Sequence, residues 1–397
     1  MSLRRRRCCF IQIDDRRVPD FAALFRGTLT LQLQDSIEFL CAISGQRFAL
    51  TALDLQLLSS LSGSEWRDDA LAERLGVDCT RLQQLLAAGV VLSDRVDCSA
   101  SLHWLEQEAA FERIGWFDLA AVYQAQTRWL GVAGPDADRE HTQSAHRQRL
   151  EAHVARRGAA PTHFSARADS TAQVALPVPE LTGAFADLLA RRSTVRHFDL
   201  SRELPLADFN WVLYATFGVS GTLELAPGVT AIKRSSPSGG GLHPTDAYVM
   251  VLAVAGLAPG LYHYNAEHHR LDCLRLIEAE AGRALLTTFS AGQGYFSEAH
   301  AAFIQVLRFD RHFWKYGDHK KAYKAVLQDA AHLSQTFYLC AAERGLGAYY
   351  TAAINDADIS LALGLDPVRE AAVGINGLGL IDHTRNALHF VPAPYRP

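Results

Sequence analysis

Three groups of residues in this chain of 397 have types and spacings that chemistry could use. The first is Ser235 to Pro244, where three consecutive glycines stand between serines and prolines. Missing Cβ atoms let the backbone turn sharply there and bring its N–H groups close to something flat or anionic, which suits a cofactor. The second is Arg192, Thr194 and Arg196. At alternate positions in extended backbone they project from one side, and two guanidiniums with a hydroxyl grip a phosphate. The competing reading is an ordinary solvated arginine cluster. The third is His312-Phe313-Trp314-Lys315-Tyr316-Gly317. Aromatic neighbours can strip water from Lys315 and ready it as a general base, with Tyr316 able to donate or accept a proton. The competing reading is a snorkelling lysine packed on aromatics. A further stretch, Gly345 to Asn355, reads by itself as a plain helix-to-strand turn. His243, His319 and His332 have no metal-ligand spacing, and no metal site is expected.

The elements that must position these residues follow from periodicity. The apolar run Ala247 to Ala255 reads as a buried strand that holds the serine-glycine loop at its edge. A helix over Leu181 to Arg191, with Phe185, Leu188 and Leu189 on one face, leads into the arginine cluster, and a second helix runs from Leu206 to Phe217. Leu261 to Leu274 has the shape of a hairpin, Ala302 to Leu307 reads as another buried strand, and a long helix runs from Tyr323 to a glycine stop at Gly345. Alternating helices and strands give an α+β class with a central mixed sheet flanked by helices.

Upstream, Cys8 to Ile13 and Leu29 to Leu33 read as strands. Three short helices follow, over Leu53 to Leu61 with Thr51 as its cap, Asp68 to Leu75 and Leu82 to Ala87, and Gly89 to Leu92 closes as a strand. That succession looks like a winged helix-turn-helix. As a DNA reader its third helix, Cys79 to Ala88, is poor in cations, offering Arg81 and two glutamines, so peptide binding or a structural role is favoured. Glu106 to Tyr123 and Arg139 to Arg157 read as helices, and the proline-rich stretches between about 160 and 180 as linker. The expected organisation is 1–100 winged-helix-like, 101–178 helical linker and 179–397 a larger domain.

Composition sets the outer bounds. Hydrophobic residues make up 49% and charged residues 21%, with a net charge of −4, which carries no bias towards nucleic acid. Seven scattered cysteines without a C-x-x-C pair signal neither zinc nor a disulfide framework and fit a reducing cytoplasm. The basic run Arg4 to Arg7 reads as a solvated tail, because the apolar stretch after it ends at Asp14-Asp15, too soon for an export signal, and no membrane span is expected.

Together the motifs resemble a family. Arg192 to Phe198 is similar to the flavin-phosphate segment that opens the nitroreductase superfamily, and Ser236 to Pro244 resembles the flavin loop of its SagB-type, thiazole- and oxazole-forming dehydrogenases. Gly260-Leu261-Tyr262-His263-Tyr264 and Trp314-Lys315-Tyr316 resemble the same branch, over roughly the last 220 residues. The resemblance implies an FMN enzyme, normally a homodimer, that oxidises azolines to azoles in a ribosomally made precursor peptide beside a cyclodehydratase partner. It implies a phosphate held by Arg192, Thr194 and Arg196, flavin contacts from Ser236, Pro237, Ser238, Gly240 and Leu242, a ring near Ala352 and Ala353, and catalysis by Lys315 and Tyr316. The N-terminal part resembles the peptide-recognition winged helices that bind leader peptides. Two departures stand out. The arginine segment is one residue longer than the common form, so either Ser193 or Thr194 would be the hydroxyl ligand, and Gly374 to Gly379 lacks the basic residue often found there. The rival reading is a reductase that uses NAD(P)H to reduce small molecules or dehydrated peptide residues.

Overall fold

The computed structural model describes residues 1–20, 28, 30–43, 45–95, 99–134, 143–165, 167–317 and 319–386. The start of the strand expected at Leu29 and the helix start expected at Arg139 lie outside the described residues. In chain order the first elements are β1 (Ser2–Arg5), β2 (Cys9–Pro19), β3 (Leu31–Cys41), β4 (Arg47–Leu50), α1 (Ala52–Ser60), β5 (Arg67–Asp68), α2 (Ala70–Arg74), α3 (Cys79–Ala87) and β6 (Val91–Ser93). Helices α4 (Ser99–Ile114), α5 (Asp118–Gln126), α6 (Gln143–Arg157), α7 (Ala184–Arg191) and α8 (Leu206–Phe217) follow. Then come β7 (Gly221–Ala226), β8 (Val229–Lys233), β9 (Thr245–Val251), β10 (Gly260–Asn265), β11 (Arg270–Leu276), α9 (Ala279–Phe289) and β12 (Ala301–Arg308). The last are α10 (Phe309–Tyr316), α11 (Ala322–Glu343), β13 (Gly347–Thr351), α12 (Asp356–Leu363) and β14 (Glu370–Gly379). None of the described helices is long and apolar enough to cross a membrane.

The chain divides into two compact units that do not follow sequence order. The first joins Met1–Arg128 to Arg308–Leu327 and Gly364–Ala371, and the second holds Trp129–Leu307, Gln328–Leu363 and Ala372–Pro397.

In the first unit, β1 pairs antiparallel with β5 on one side and β6 on the other, and β2, β3 and β4 make a second three-stranded sheet. Helices α1, α2 and α3 and the strand β6 are those expected from the spacing. A capping box starts α1, with Thr51 and Asp54 satisfying each other's backbone N–H groups, and Asp78 caps α3 by accepting from the Arg81 N–H at 2.7 Å. Leu3, Phe39, Leu57, Leu85 and Val90 form the core these helices cover. Arg81 is engaged inside the unit, donating to Asp54 and to the Ala49 carbonyl.

Two expectations fail here. The arginine run is not a solvated tail: it lies in and just after β1, where Arg4 and Arg6 are buried, Arg4 on the carboxylate of Glu108 and Arg6 against the Trp104 ring, because these partners offset the cost of removing guanidinium from water. The helix expected over Glu106 to Tyr123 is two, α4 and α5, broken at Gly115, whose φ of +81° no helix accommodates.

In the second unit a six-stranded sheet runs in the order β11-β10-β9-β12-β14-β13. The β11–β10, β10–β9, β9–β12 and β13–β14 pairings are antiparallel. Strands β9 and β12 sit near its centre and are almost wholly buried, which is why their sequences run apolar without alternation. Helices α8 and α11 cover one face through Phe209, Phe217 and Phe337 against Phe303. Helix α7 is shorter than expected at its start, and its apolar residues do not turn inward: Phe185 is 66% exposed and Leu189 44%. The hairpin β7–β8, unforeseen from the sequence, turns at Pro227-Gly228 and leaves Leu223 and Leu225 exposed.

One close approach constrains the sheet beside β13. Tyr349 stands opposite Gly377, fully buried, with its hydroxyl donating to the Phe296 carbonyl at 2.6 Å. A Cβ on Gly377 would lie 2.0 Å from that ring. Gly377→Ala is therefore expected to destabilise the protein by about 1–3 kcal/mol through overpacking, read as a fall in thermal midpoint; an unchanged midpoint would show that the ring moves aside freely.

Candidate active site

The segment after α7 is an extended strap, and a single glycine lets it lie against the edge strand β13. Val195, 1% exposed, donates its N–H to the Ala348 carbonyl at 2.8 Å, and a Cβ on Gly347 would come within 2.7 Å of Val195 Cγ1. Further along, Asp199 donates to the Leu380 carbonyl and Phe198 bridges to Ile381. With Val195 turned in, alternation turns the residues on either side away from the sheet. Arg192 and Thr194 then meet at Tyr338 of α11: the guanidinium is 5.7 Å from the ring centroid and the threonine Oγ1 is 3.2 Å from the phenol oxygen. Arg196 is exposed, its backbone N–H bonded to Asn386, and Ser193 is half-buried. Among the described residues no carboxylate pairs with Arg192 or Arg196. Arg192 and Thr194 are thus brought together at Tyr338, and donors of this kind are chemically suited to an anion.

The serine-glycine loop is fastened at three points. Arg234 at its start is buried and donates Nη1 to the carbonyl of Thr245 at its end, 2.8 Å away, and burial lowers the affinity of this guanidinium for its proton. Ser236, 2% exposed, shares a hydrogen bond of 2.6 Å with Thr336 and donates to the His332 carbonyl. At the turn itself Asp329, also on α11, accepts from the Ser238 hydroxyl at 2.5 Å and from the Gly239 N–H at 3.0 Å, while Ser238 Oγ accepts in turn from the His243 N–H at 2.9 Å. Gly240 and Gly241 follow with φ of +62° and +68°, the left-handed region that glycine enters without strain.

These bonds sort the expected ligands. The side chains of Ser236 and Leu242 turn into the protein, and the Ser238 hydroxyl is spent on the loop's own structure, whereas Pro237 and Gly240 are exposed. Ala352 is exposed just after β13, and Ala353 is half-buried with its N–H on Thr351 Oγ1. Asp329, Thr336 and Tyr338 were not read from the sequence. They sit mid-helix, and nothing local marks Asp329 and Thr336 as partners of a loop about ninety to a hundred residues upstream, or Tyr338 as a partner of the strap.

Lys315 and Tyr316 belong to the first unit, at the end of α10. The helix buries Phe309, His312 and Phe313 at the i, i+3, i+4 spacing of one face. Lys315 lies on the other side and is exposed beside Trp314, so the aromatic residues do not enclose it as expected. Its Nζ stands 5.5 Å from the centroid of the Tyr316 ring. A groove of about 360 Å³ runs past it, lined by Arg113, Asp310, Trp314, Lys315 and Arg369. Among the described residues no cluster suits a metal ion.

The α+β sheet domain carries a cationic strap along its edge strand β13 and a clamped glycine turn. Residues 189–380 match the model of the nitroreductase family, and the chain carries a domain of that family. The membership expected from the arginine strap and the serine-glycine loop is thus borne out over this region. The chain is 28% identical over 224 residues to the trifolitoxin-processing protein TfxB of Rhizobium leguminosarum bv. trifolii, covering 54% of this chain and 58% of that protein. It is also 28% identical over 173 residues to the putative nitroreductase MJ1384 of Methanocaldococcus jannaschii, covering 44% and 80% respectively. Among solved structures, a chain of the E. coli microcin synthetase McbBCD complex with truncated pro-MccB17 bound aligns with a TM-score of 0.49 at 17% identity, over 68% of this chain and 94% of that one.

The clamp on the loop can be tested without any ligand. Asp329→Ala removes the acceptor for Ser238 and Gly239, hydrogen bonds to a charged group worth about 1.5–3 kcal/mol each. Amide exchange over residues 236–243 is expected to quicken markedly in that variant, and Asp329→Asn, which keeps an acceptor for Gly239, to fall between it and the parent. Unchanged exchange in both would show that the turn holds itself.

Proposed function

We propose that this chain is an FMN-dependent dehydrogenase of the SagB type that matures a ribosomally made peptide, oxidising azolines to azoles. The observation that carries this reading is the unneutralised Arg192, Thr194 and Arg196 strap beside a clamped glycine turn, inside the nitroreductase-family region. The donor set fits a phosphate ester, and the exposed glycine turn leaves room for a flat group. Arg192, Thr194 and Arg196 would hold the phosphate. Thr194 rather than Ser193 is favoured as the hydroxyl, because it shares the side of the strap that Arg192 takes. Pro237 and the backbone at Gly240 would touch the flavin, with Ser236, Ser238 and Leu242 shaping the loop from within and Ala352 and Ala353 lying near the ring.

Bound there, the flavin would supply a two-electron acceptor. The task left to the chain is to take a carbon-bound proton from the azoline, which suits as base Lys315, in a groove open to an extended peptide, or Tyr316 next to it. Similarity to a trifolitoxin-processing protein supports a peptide substrate. The precursor peptide would be recognised by residues 1–100 as a winged-helix-like domain, ahead of the linker 101–178 and the flavin domain 179–397, with a cyclodehydratase forming the azoline beforehand. Exposed Phe185, Leu189, Leu223 and Leu225 support a homodimer, and the scattered cysteines a cytoplasmic setting. The second reading, an NAD(P)H-dependent reductase, is favoured by similarity to the putative nitroreductase; rapid flavin bleaching by NADPH without peptide would select it.

Substituting Lys315 by Ala is expected to abolish peptide oxidation while the purified protein keeps its flavin; full activity would remove the lysine from the mechanism. Arg192→Ala and Arg196→Ala are each expected to weaken FMN binding about 10- to 100-fold, as loss of a charge-assisted phosphate contact should. Titration of flavin fluorescence measures this, and unaltered affinity in both variants would place the phosphate elsewhere.

A further inference from the structure

The break between α4 and α5 places Gly115 and Trp116 directly against the helix that carries the lysine and tyrosine. The Trp116 ring centroid lies 4.5 Å from that of Phe309 and 4.9 Å from that of Phe313, the first and fifth residues of α10, both buried. Its indole N–H donates to the Val368 carbonyl at 2.8 Å, which fixes the ring in its plane. Phe309 donates its own N–H to the Arg369 carbonyl at 2.7 Å, from the same short segment that holds the indole. At the far end of α10, immediately after Tyr316, two glycines touch: a Cβ on Gly115 would lie 3.2 Å from Gly317 Cα, and one on Gly317 would lie 3.0 Å from the Gly115 carbonyl oxygen.

A helix of eight residues has little stability of its own, so its rotation about its axis is set by what it packs on. Lys315 projects from the side away from Phe309 and Phe313, Tyr316 lies half-buried towards their face beside His312, and any roll of the helix swings both by the same angle. We propose that Trp116 is a positioning residue for Lys315 and Tyr316, acting through Phe309 and Phe313, so that the N-terminal segment is part of the catalytic machinery rather than an appended module. The proposal rests on the reading that this pair carries the proton removal. Displacements of about 1 Å at a reacting group cost on the order of 100-fold in rate, so a loosened α10 should be visible in turnover before it is visible in folding.

Trp116→Ala and Trp116→Phe in the full flavin-loaded chain test it with three readouts. In Trp116→Ala, amide exchange over residues 309–317 is expected to quicken about 10-fold or more while that of 236–243 and the flavin content stay unchanged. Turnover of the modified peptide should fall about 10- to 100-fold with KM within about twofold, and Trp116→Phe, which restores most of the ring, should recover most of the loss. Unchanged exchange and turnover in Trp116→Ala would overturn the proposal, as would a loss of turnover matched by equal loss of flavin and quickened exchange throughout the chain. If Lys315→Ala proves fully active, the reading beneath the proposal fails, yet exchange over 309–317 still decides whether Trp116 holds α10.

Discussion

One buried carboxylate sets the shape of the serine-glycine loop. Asp329 takes the Ser238 hydroxyl and the Gly239 N–H, and those two bonds bend the chain into the left-handed conformations of Gly240 and Gly241. The glycines make the turn possible, but the carboxylate makes it permanent. Because Asp329 sits on the same helix as Thr336 and Tyr338, α11 holds the loop at Ser236 and the turn while also meeting the strap at Arg192 and Thr194. The strap at Arg192 and Thr194 and the glycine turn are thereby referred to one rigid element, α11.

The lysine–tyrosine pair is referred to something else. Helix α10 is built into the unit that contains the first 128 residues, against an aromatic cluster of Trp116, Phe309, Phe313 and Tyr323. The serine-glycine loop and the Lys315–Tyr316 pair thus belong to different compact units of one chain, although α10 and α11 are separated by only a few residues. The sequence segments that return to the first unit, 308–327 and 364–371, each interrupt the second.

Much of this was legible beforehand. Buried strands β9 and β12 announced themselves as apolar runs, α8 and α11 as helical periodicity, and the strap and the loop as residue types that few structural roles demand together. What failed, failed for lack of partners. The arginines of β1 look solvated until Glu108 and Trp104 are brought alongside them, and nothing within ten residues says that they will be. Lys315 looks enclosed by its aromatic neighbours in the sequence, but the helical period puts Phe313 and Lys315 on different faces. Asp329 carries no local mark at all. Helix α7 has an amphipathic period yet leaves Phe185 and Leu189 exposed, and β7 has Leu223 and Leu225 exposed, because period alone does not say which face is covered.

The most direct measurement is the visible absorption spectrum of the purified protein, taken anaerobically before and after addition of an azoline-bearing peptide. The account predicts the bands of bound oxidised flavin, bleached by that peptide and not by an unmodified one. A colourless protein that takes up no added FMN would contradict it.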